Sequence, residues 1–168
     1  MTTTTQSQGK IPKPIPTETD PQDAITLLTE DHEQVKSMFE QYEELGDRAF
    51  ASKQKLALKI CTELTKHATA EEEIFYSAVR AATKDDDMLD EAIVEHASAK
   101  DLITQIISME PTDDLYDAKV KVLGELIDHH VKEEEGEMFP KARKAKLDLM
   151  ALGEAIAARK QQVELPPH

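Results

Sequence analysis

The chain has 168 residues, enough for one domain with a real core and no need of a disulfide or structural metal to hold it. Its 34 acidic and 20 basic residues give a formal charge of −14, which opposes nucleic acid phosphates and anionic membrane surfaces as partners and suits cation uptake. A single cysteine, Cys61, excludes an internal disulfide, and abundant Ala, Leu, Glu and Lys with no Trp favour an all-helical protein.

In chain order, residues 1–19 are Thr-rich and carry Pro12, Pro14 and Pro16, the composition of a flexible tail that Ile11 and Ile15 could pin along a bundle. The tail has no apolar secretory core and the chain no stretch of membrane-span length, so a cytoplasmic protein is expected. A first helix is predicted from Asp20 as N-cap and Pro21 at the first helical position to about Gly46, with Asp23 near its positive end. On a wheel of about 100° per residue, Ile25, Leu28, His32, Val35 and Phe39 share its buried face, while Asp31 and Glu33 point away.

The second helix should run over residues 51–82, with Ile60, Leu64, His67, Glu71, Ile74 and Ala78 on one face. Residues 84–87, Lys-Asp-Asp-Asp, break the chain and start a third helix to about Ser108, whose inner stripe is Leu89, Ala92, Ile93, His96, Ala99, Ile103 and Ile107. After a turn in which Thr112 or Asp113 caps, a fourth helix from about Asp114 through Met138 buries Leu123, Leu126, Ile127, His130 and Glu134, and Pro140 bends or ends it. Asp148 caps a short fifth helix over 149–161, an outer brace with Leu149, Leu152 and Ile156 on one side. The expected fold is an antiparallel up-down-up-down four-helix bundle over residues 20–146, followed by a C-terminal helix and tail over 147–168.

Within this frame one pattern occurs twice: a lone histidine, then a His-x3-Glu about one helix later. His32 precedes His67 and Glu71; His96 precedes His130 and Glu134, an offset of 64 or 63 residues between copies. His-x3-Glu places imidazole and carboxylate one turn apart on a single face, so four helices donate inward. Two carboxylates that bridge and four terminal histidines make ligand sets for two metal ions, and imidazole with carboxylate suits iron or manganese. A lone core histidine is ordinarily a hydrogen-bonded packing residue, but two ionised carboxylates buried among four histidines would each cost on the order of several kcal/mol without a cation.

The neighbours read differently. His129 falls about 100° from His130, and His168 lies at the terminus; Glu72, Glu73, Glu133 and Glu135 form a solvated rim, with Glu135 replacing Glu134 if a π-bulge rotates it inward. Lys36 and Lys100 follow their histidines at the same spacing and extend the repeat to Asp31-His32-x3-Lys36 and Glu95-His96-x3-Lys100, where they would pair with rim carboxylates or lend charge near the metals. Cys61 is a small core residue, and among Tyr42, Tyr76 and Tyr116 the first is the leading candidate to reach the site.

The segments from His67 to Tyr76 (HATAEEEIFY) and from His130 to Pro140 (HVKEEEGEMFP) resemble the hemerythrin-like family with its HHE cation-binding motifs, over residues 23 to about 145. That resemblance implies a four-helix bundle around a non-haem di-iron centre, oxo- or hydroxo-bridged, with manganese as the alternative. His32, His67, His96 and His130 would be terminal ligands, and Glu71 and Glu134 the bridges. Oxygen-carrying members have a further histidine one turn after the position of His96; in this chain that position is Lys100. The departure turns the expectation from oxygen storage toward binding or reduction of dioxygen, peroxide or nitric oxide, catalase-like chemistry in oxidative stress among the possibilities. The reductant would come from elsewhere, since no flavin or nicotinamide fingerprint is present. The alternatives are an iron or oxygen sensor whose tail and fifth helix make the contacts, and a metal-free helical interaction domain.

Overall fold

Helix-favouring composition and apolar stripes at helical spacing give an all-helical chain; the computed structural model describes residues 22–165, with no strand among them. The N-terminal tail, Asp20, Pro21 and His168 lie outside the described residues. Helix α1, Ala24–Glu43, is capped by Asp23, whose Oδ1 accepts the Thr26 N–H at 2.8 Å, so Asp23 takes the capping role expected of Asp20. A second rod consists of α2, Phe50–Ala70, a π segment, Glu71–Tyr76, and α3, Ser77–Thr83. Lys84 then takes a left-handed conformation, φ 56°, and Asp85 caps α4, Asp86–Ile107, through the Met88 N–H.

The fourth rod begins at Tyr116 rather than Asp114 and lacks a side-chain cap. Asp113 serves the preceding turn instead: its Oδ2 accepts the Glu110 N–H at 2.9 Å and its carbonyl the Tyr116 N–H. The rod runs through α5, Tyr116–Glu133, a second π segment, Glu134–Met138, and α6, Phe139–Lys144. Pro140, expected to bend or end this helix, lies inside it. The Phe139 N–H reaches back five residues to the Glu134 carbonyl, and this wider turn just before the proline relieves the ring's clash with the backbone behind it. Helix α7, Leu149–Gln162, starts at its expected Asp148 cap and packs on α1, α2 and the first π segment.

Each π segment inserts a fraction of a turn and rotates the stretch of helix beyond it. Past Glu71 the buried residues are therefore Phe75, Tyr76 and Val79, not the expected Ile74 and Ala78; past Glu134 they are Met138, Phe139 and Ala142. On α4, Ile106 is buried in place of Ile107, and Ile93, placed on the inner stripe by the wheel, is 39% exposed. The four rods pair as α1 with α2, α4 with α5, α2 with α4 and α1 with α5, a four-helix bundle. Its apolar interior is divided in two. One cluster, around Leu28, Phe75, Val79, Leu89, Phe139 and Ile156, fills one end; the other, around Val35, Ile60, Leu64, Ile103, Tyr116 and Leu123, fills the opposite end. Between them lies a layer of buried histidine and glutamate.

Candidate metal centre

All six residues of the repeated pattern meet in that layer, each at most 8% exposed, because each rod turns its polar position onto the same face as its Leu, Ile and Val neighbours. They fall into two overlapping groups, His32, His67, Glu71 and Glu134, and Glu71, His96, His130 and Glu134, each offering ligand atoms within 4.8 Å of one another. The Nε2 atoms of His32 and His67 lie 3.3 Å apart, and those of His96 and His130 3.1 Å. Glu71 spans the groups, Oε2 at 3.0 Å from His67 Nε2 and Oε1 at 3.1 Å from His96 Nε2. Glu134 does the same, Oε1 at 3.2 Å from His32 Nε2 and Oε2 at 3.2 Å from His130 Nε2.

The outer face of the layer follows the same pseudo-twofold repeat. Asp31 Oδ2 lies 2.9 Å from His67 Nδ1, and Glu95 Oε1 lies 3.2 Å from His130 Nδ1, so the acid before each lone histidine holds the other histidine of its own pair. Such a carboxylate fixes the ring and directs Nε2 inward. Asp31, expected to point away, is turned toward the neighbouring helix, where Lys160 of α7 binds both its oxygens at 2.6 and 2.7 Å. Arg159, next to it, binds Glu73. The C-terminal helix, read from the sequence as an outer brace, thus supplies the charge behind one histidine.

Tyr76 is the tyrosine that reaches the centre. Its hydroxyl lies 2.7 Å from Glu71 Oε1, 2.6 Å from Glu134 Oε2, and 3.2 Å from the Nε2 atoms of both His96 and His130. Tyr42, the expected candidate, is committed elsewhere: it donates to Asp117 Oδ1 at 2.7 Å, and Lys53 holds the other oxygen of Asp117. On a regular helix Tyr76 stands five residues past Glu71 and faces away; only the π segment brings it round, and the wheel had no signal for that. The second π segment, anticipated as a device to rotate Glu135 inward, leaves Glu134 at 2% exposure and Glu135 exposed, 3.7 Å from His32 Nδ1.

Electrostatics tie the cluster together. Burial works against charge on His67, but Glu71 and the hydrogen bond to Asp31 push its pKa up to about 10. Burial likewise opposes charge on His130, which hydrogen bonds to Glu134 and Glu71 push up to about 11; His96 is raised in the same way. Glu71, which burial would raise, is held well below the usual carboxylate range by the His67 charge and by hydrogen bonds from His130, His67 and His96. Burial and the two glutamates push the Tyr76 phenol well up, so it stays protonated.

These residues fit a bound cation. Glu71 Oε2 and Glu134 Oε1 are buried without an aligned hydrogen bond although an imidazole nitrogen stands near each, the arrangement of lone pairs aimed at a shared point. Beside the four histidines a cavity of 30 Å³, walled partly by Val35, Leu64, Ala99 and Ile103, has room for a molecule of two or three atoms. A groove of 920 Å³ between α1 and α5 reaches His32 from outside. Lys100 pairs with Glu72, one of the two roles expected of it; Lys36 is exposed, Cys61 is buried in the core, and His129 is 63% exposed beside Glu95 and Glu133.

The model of the hemerythrin HHE cation binding domain matches residues 23–142. A DNA nickase from Nostoc sp. (strain PCC 7120) is 30% identical over 122 residues, 73% of this chain but 33% of that protein, so the chain spans a third of this relative's length. The crystal structure of a hemerythrin HHE cation binding domain-containing protein from Mycobacterium kansasii is similar at TM-score 0.71 and 26% identity, covering 83% of this chain and 86% of that one.

Proposed function

The chain belongs to the hemerythrin HHE cation binding domain family, and we propose that it is a non-haem di-iron protein that binds or reduces a small oxidant, dioxygen, peroxide or nitric oxide. The observation that carries this reading is that Glu71 and Glu134 each face both histidine pairs, the disposition two adjacent ions require. His32 and His67 would hold one ion, His96 and His130 the other, with both carboxylates shared. An iron pair held there would give up two electrons on passing from diferrous to diferric, and an external reductant would restore it.

The protein's own residues favour small oxidants. The cavity beside the histidines is 30 Å³, which selects by size. Lys100, where the resemblance gives oxygen carriers another histidine, is 49% exposed and paired to Glu72, so it would not occupy the place of that ligand. Tyr76 keeps a proton beside Glu71 and Glu134, within reach of an oxygen atom in the layer. The Nostoc relative's name raises DNA as a substrate; the formal charge of −14 works against phosphate, and we assign the chemistry to small molecules instead.

Metal analysis with single-turnover mixing tests the proposal. Two irons per chain, with an optical change and peroxide or nitric oxide consumption on mixing, are expected, and both should vanish in E71Q/E134Q. Two irons without consumption of any oxidant would refute the redox reading. Supercoiled plasmid incubated with the loaded protein should stay intact.

A second reading, a metal-dependent sensor, is favoured by the run from His67 through Asp31 to Lys160, which links the centre to α7. Chelation should then raise hydrogen exchange in α7; unchanged exchange would dismiss it.

A further inference from the structure

Outside the central layer, the described residues hold one more grouping with ligand chemistry. Glu95 on α4 and His129 and Glu133 on α5 offer ligand atoms within 4.8 Å of one another. His129 Nε2 lies 3.5 Å from Glu95 Oε2 and 3.3 Å from Glu133 Oε1, and the side chains of His129 and Glu133 are 63% and 43% exposed, open to solvent.

The internal repeat provides the comparison. At offsets of 64 and 63 residues, Glu95 corresponds to Asp31, His129 to Lys66 and Glu133 to Ala70. Asp31 and Glu95 do the same work, each holding Nδ1 of an inner histidine. In the first half the remaining charge of that carboxylate is met by Lys160, fixed there by α7. No lysine or arginine among the described residues meets Glu95; a histidine and a second carboxylate stand around it instead. The chain supplies a cation on one side and leaves a ligand set on the other.

The open side also leads inward. A cleft of 210 Å³, bordered by Glu95 and Glu133 and by Asp87, Glu91 and Glu137, extends to His130 and Glu134. Lys141 pairs with Asp85 and Glu137, whereas Asp87 and Glu91 have no cationic partner among the described residues. At the inner end stands Glu134, 2% exposed, with Oε2 3.2 Å from His130 Nε2 and Oε1 turned on toward His32 in the central layer. Glu95 belongs to both places, one oxygen toward His129 and the other toward His130.

We propose that Glu95, His129 and Glu133 capture one divalent transition-metal ion at the surface and that the acidic cleft passes it to the inner pair. Mixed imidazole and carboxylate donors suit iron(II), manganese(II) or cobalt(II). Partial exposure suits an ion that is held briefly and released. The loading role rests on the central layer being a metal centre; the capture site does not.

Cobalt(II) added to metal-free full-length protein tests both. Wild type should bind three equivalents and H129A or E133Q two. At limiting cobalt, the inner pair should fill at least five-fold more slowly in both variants, to the same end point. E71Q/E134Q should retain the surface equivalent. Equal loading rates in wild type, H129A and E133Q overturn the loading role, and unchanged stoichiometry in H129A and E133Q overturns the capture site. Should the inner layer take no cobalt, wild type binds one equivalent and H129A none, which refutes the central metal reading while supporting capture.

Discussion

Anaerobic titration of the metal-free protein with ferrous ion at pH 7.5 should release about two protons for each pair of ions bound. Without metal, His67 and His130 are pushed up to about 10 and about 11, so both are imidazolium at that pH. To donate a lone pair through Nε2 each must lose one proton, while Nδ1–H stays on Asp31 or Glu95. Each proton displaced makes the binding constant rise about tenfold per pH unit, so the constant for the pair should rise about a hundredfold per unit, near 2.7 kcal/mol. Between pH 6.5 and 8.5 that amounts to about ten-thousandfold. An ordinary imidazole would level off above about 6.5, whereas here the rise continues until pH approaches the raised values. Metal-free stability has the opposite sign. Raised imidazole pKa values mean that the folded state binds protons the unfolded chain gives up, so this stabilisation is full below about 6.5 and is lost as pH climbs through about 10 to 11. Calorimetry in two buffers of different protonation enthalpy counts the protons, and urea unfolding of the metal-free protein at pH 7 and 10 follows the second effect. Release of less than one proton per pair, or a rise in affinity below tenfold per pH unit, would refute the reasoning.

Asp31→Asn removes the charge that orients His67 and should weaken the first ion by about 10- to 100-fold with helicity intact, measured by competition with a chromophoric chelator. Tyr76→Phe deletes a hydroxyl that donates to a buried carboxylate and should destabilise the metal-free protein by about 1.5–3 kcal/mol in urea. A change under about 0.5 kcal/mol would mean that the hydrogen bond contributes nothing. Gly153→Ala drives a Cβ into the Gln22 carbonyl oxygen, so α7 must shift off the start of α1; a loss of about 1–3 kcal/mol is expected by thermal unfolding. Weaker metal binding should accompany it, because Lys160 moves with the helix.

The inward position of the six central residues was legible because their helices are long, regular and interrupted by short polar breaks, so a constant angle per residue puts His32, His67, Glu71, His96, His130 and Glu134 on the buried faces where they lie. The same constant fails where the angle changes. Both π segments begin at a His-x3-Glu glutamate, and the wheel therefore mistook Ile74 for a core residue and gave no reason to prefer Tyr76 over Tyr42. Asp31 was lost for another reason: a residue one step from a buried histidine looks solvent-facing on a lone helix but meets the neighbouring helix in a bundle. Its signal was present in the repeat, an acid before both His32 and His96. Lys160, 129 residues from Asp31, left no local trace.

The polar layer has a mechanical consequence. It crosses all four rods at one height, so the two apolar clusters touch the same seam from opposite sides and cohere through it. Whatever tightens the seam clamps both halves at once, and its binding free energy is added to the cohesion of the whole bundle rather than to one loop. Occupancy and global fold stability are then two readings of a single quantity.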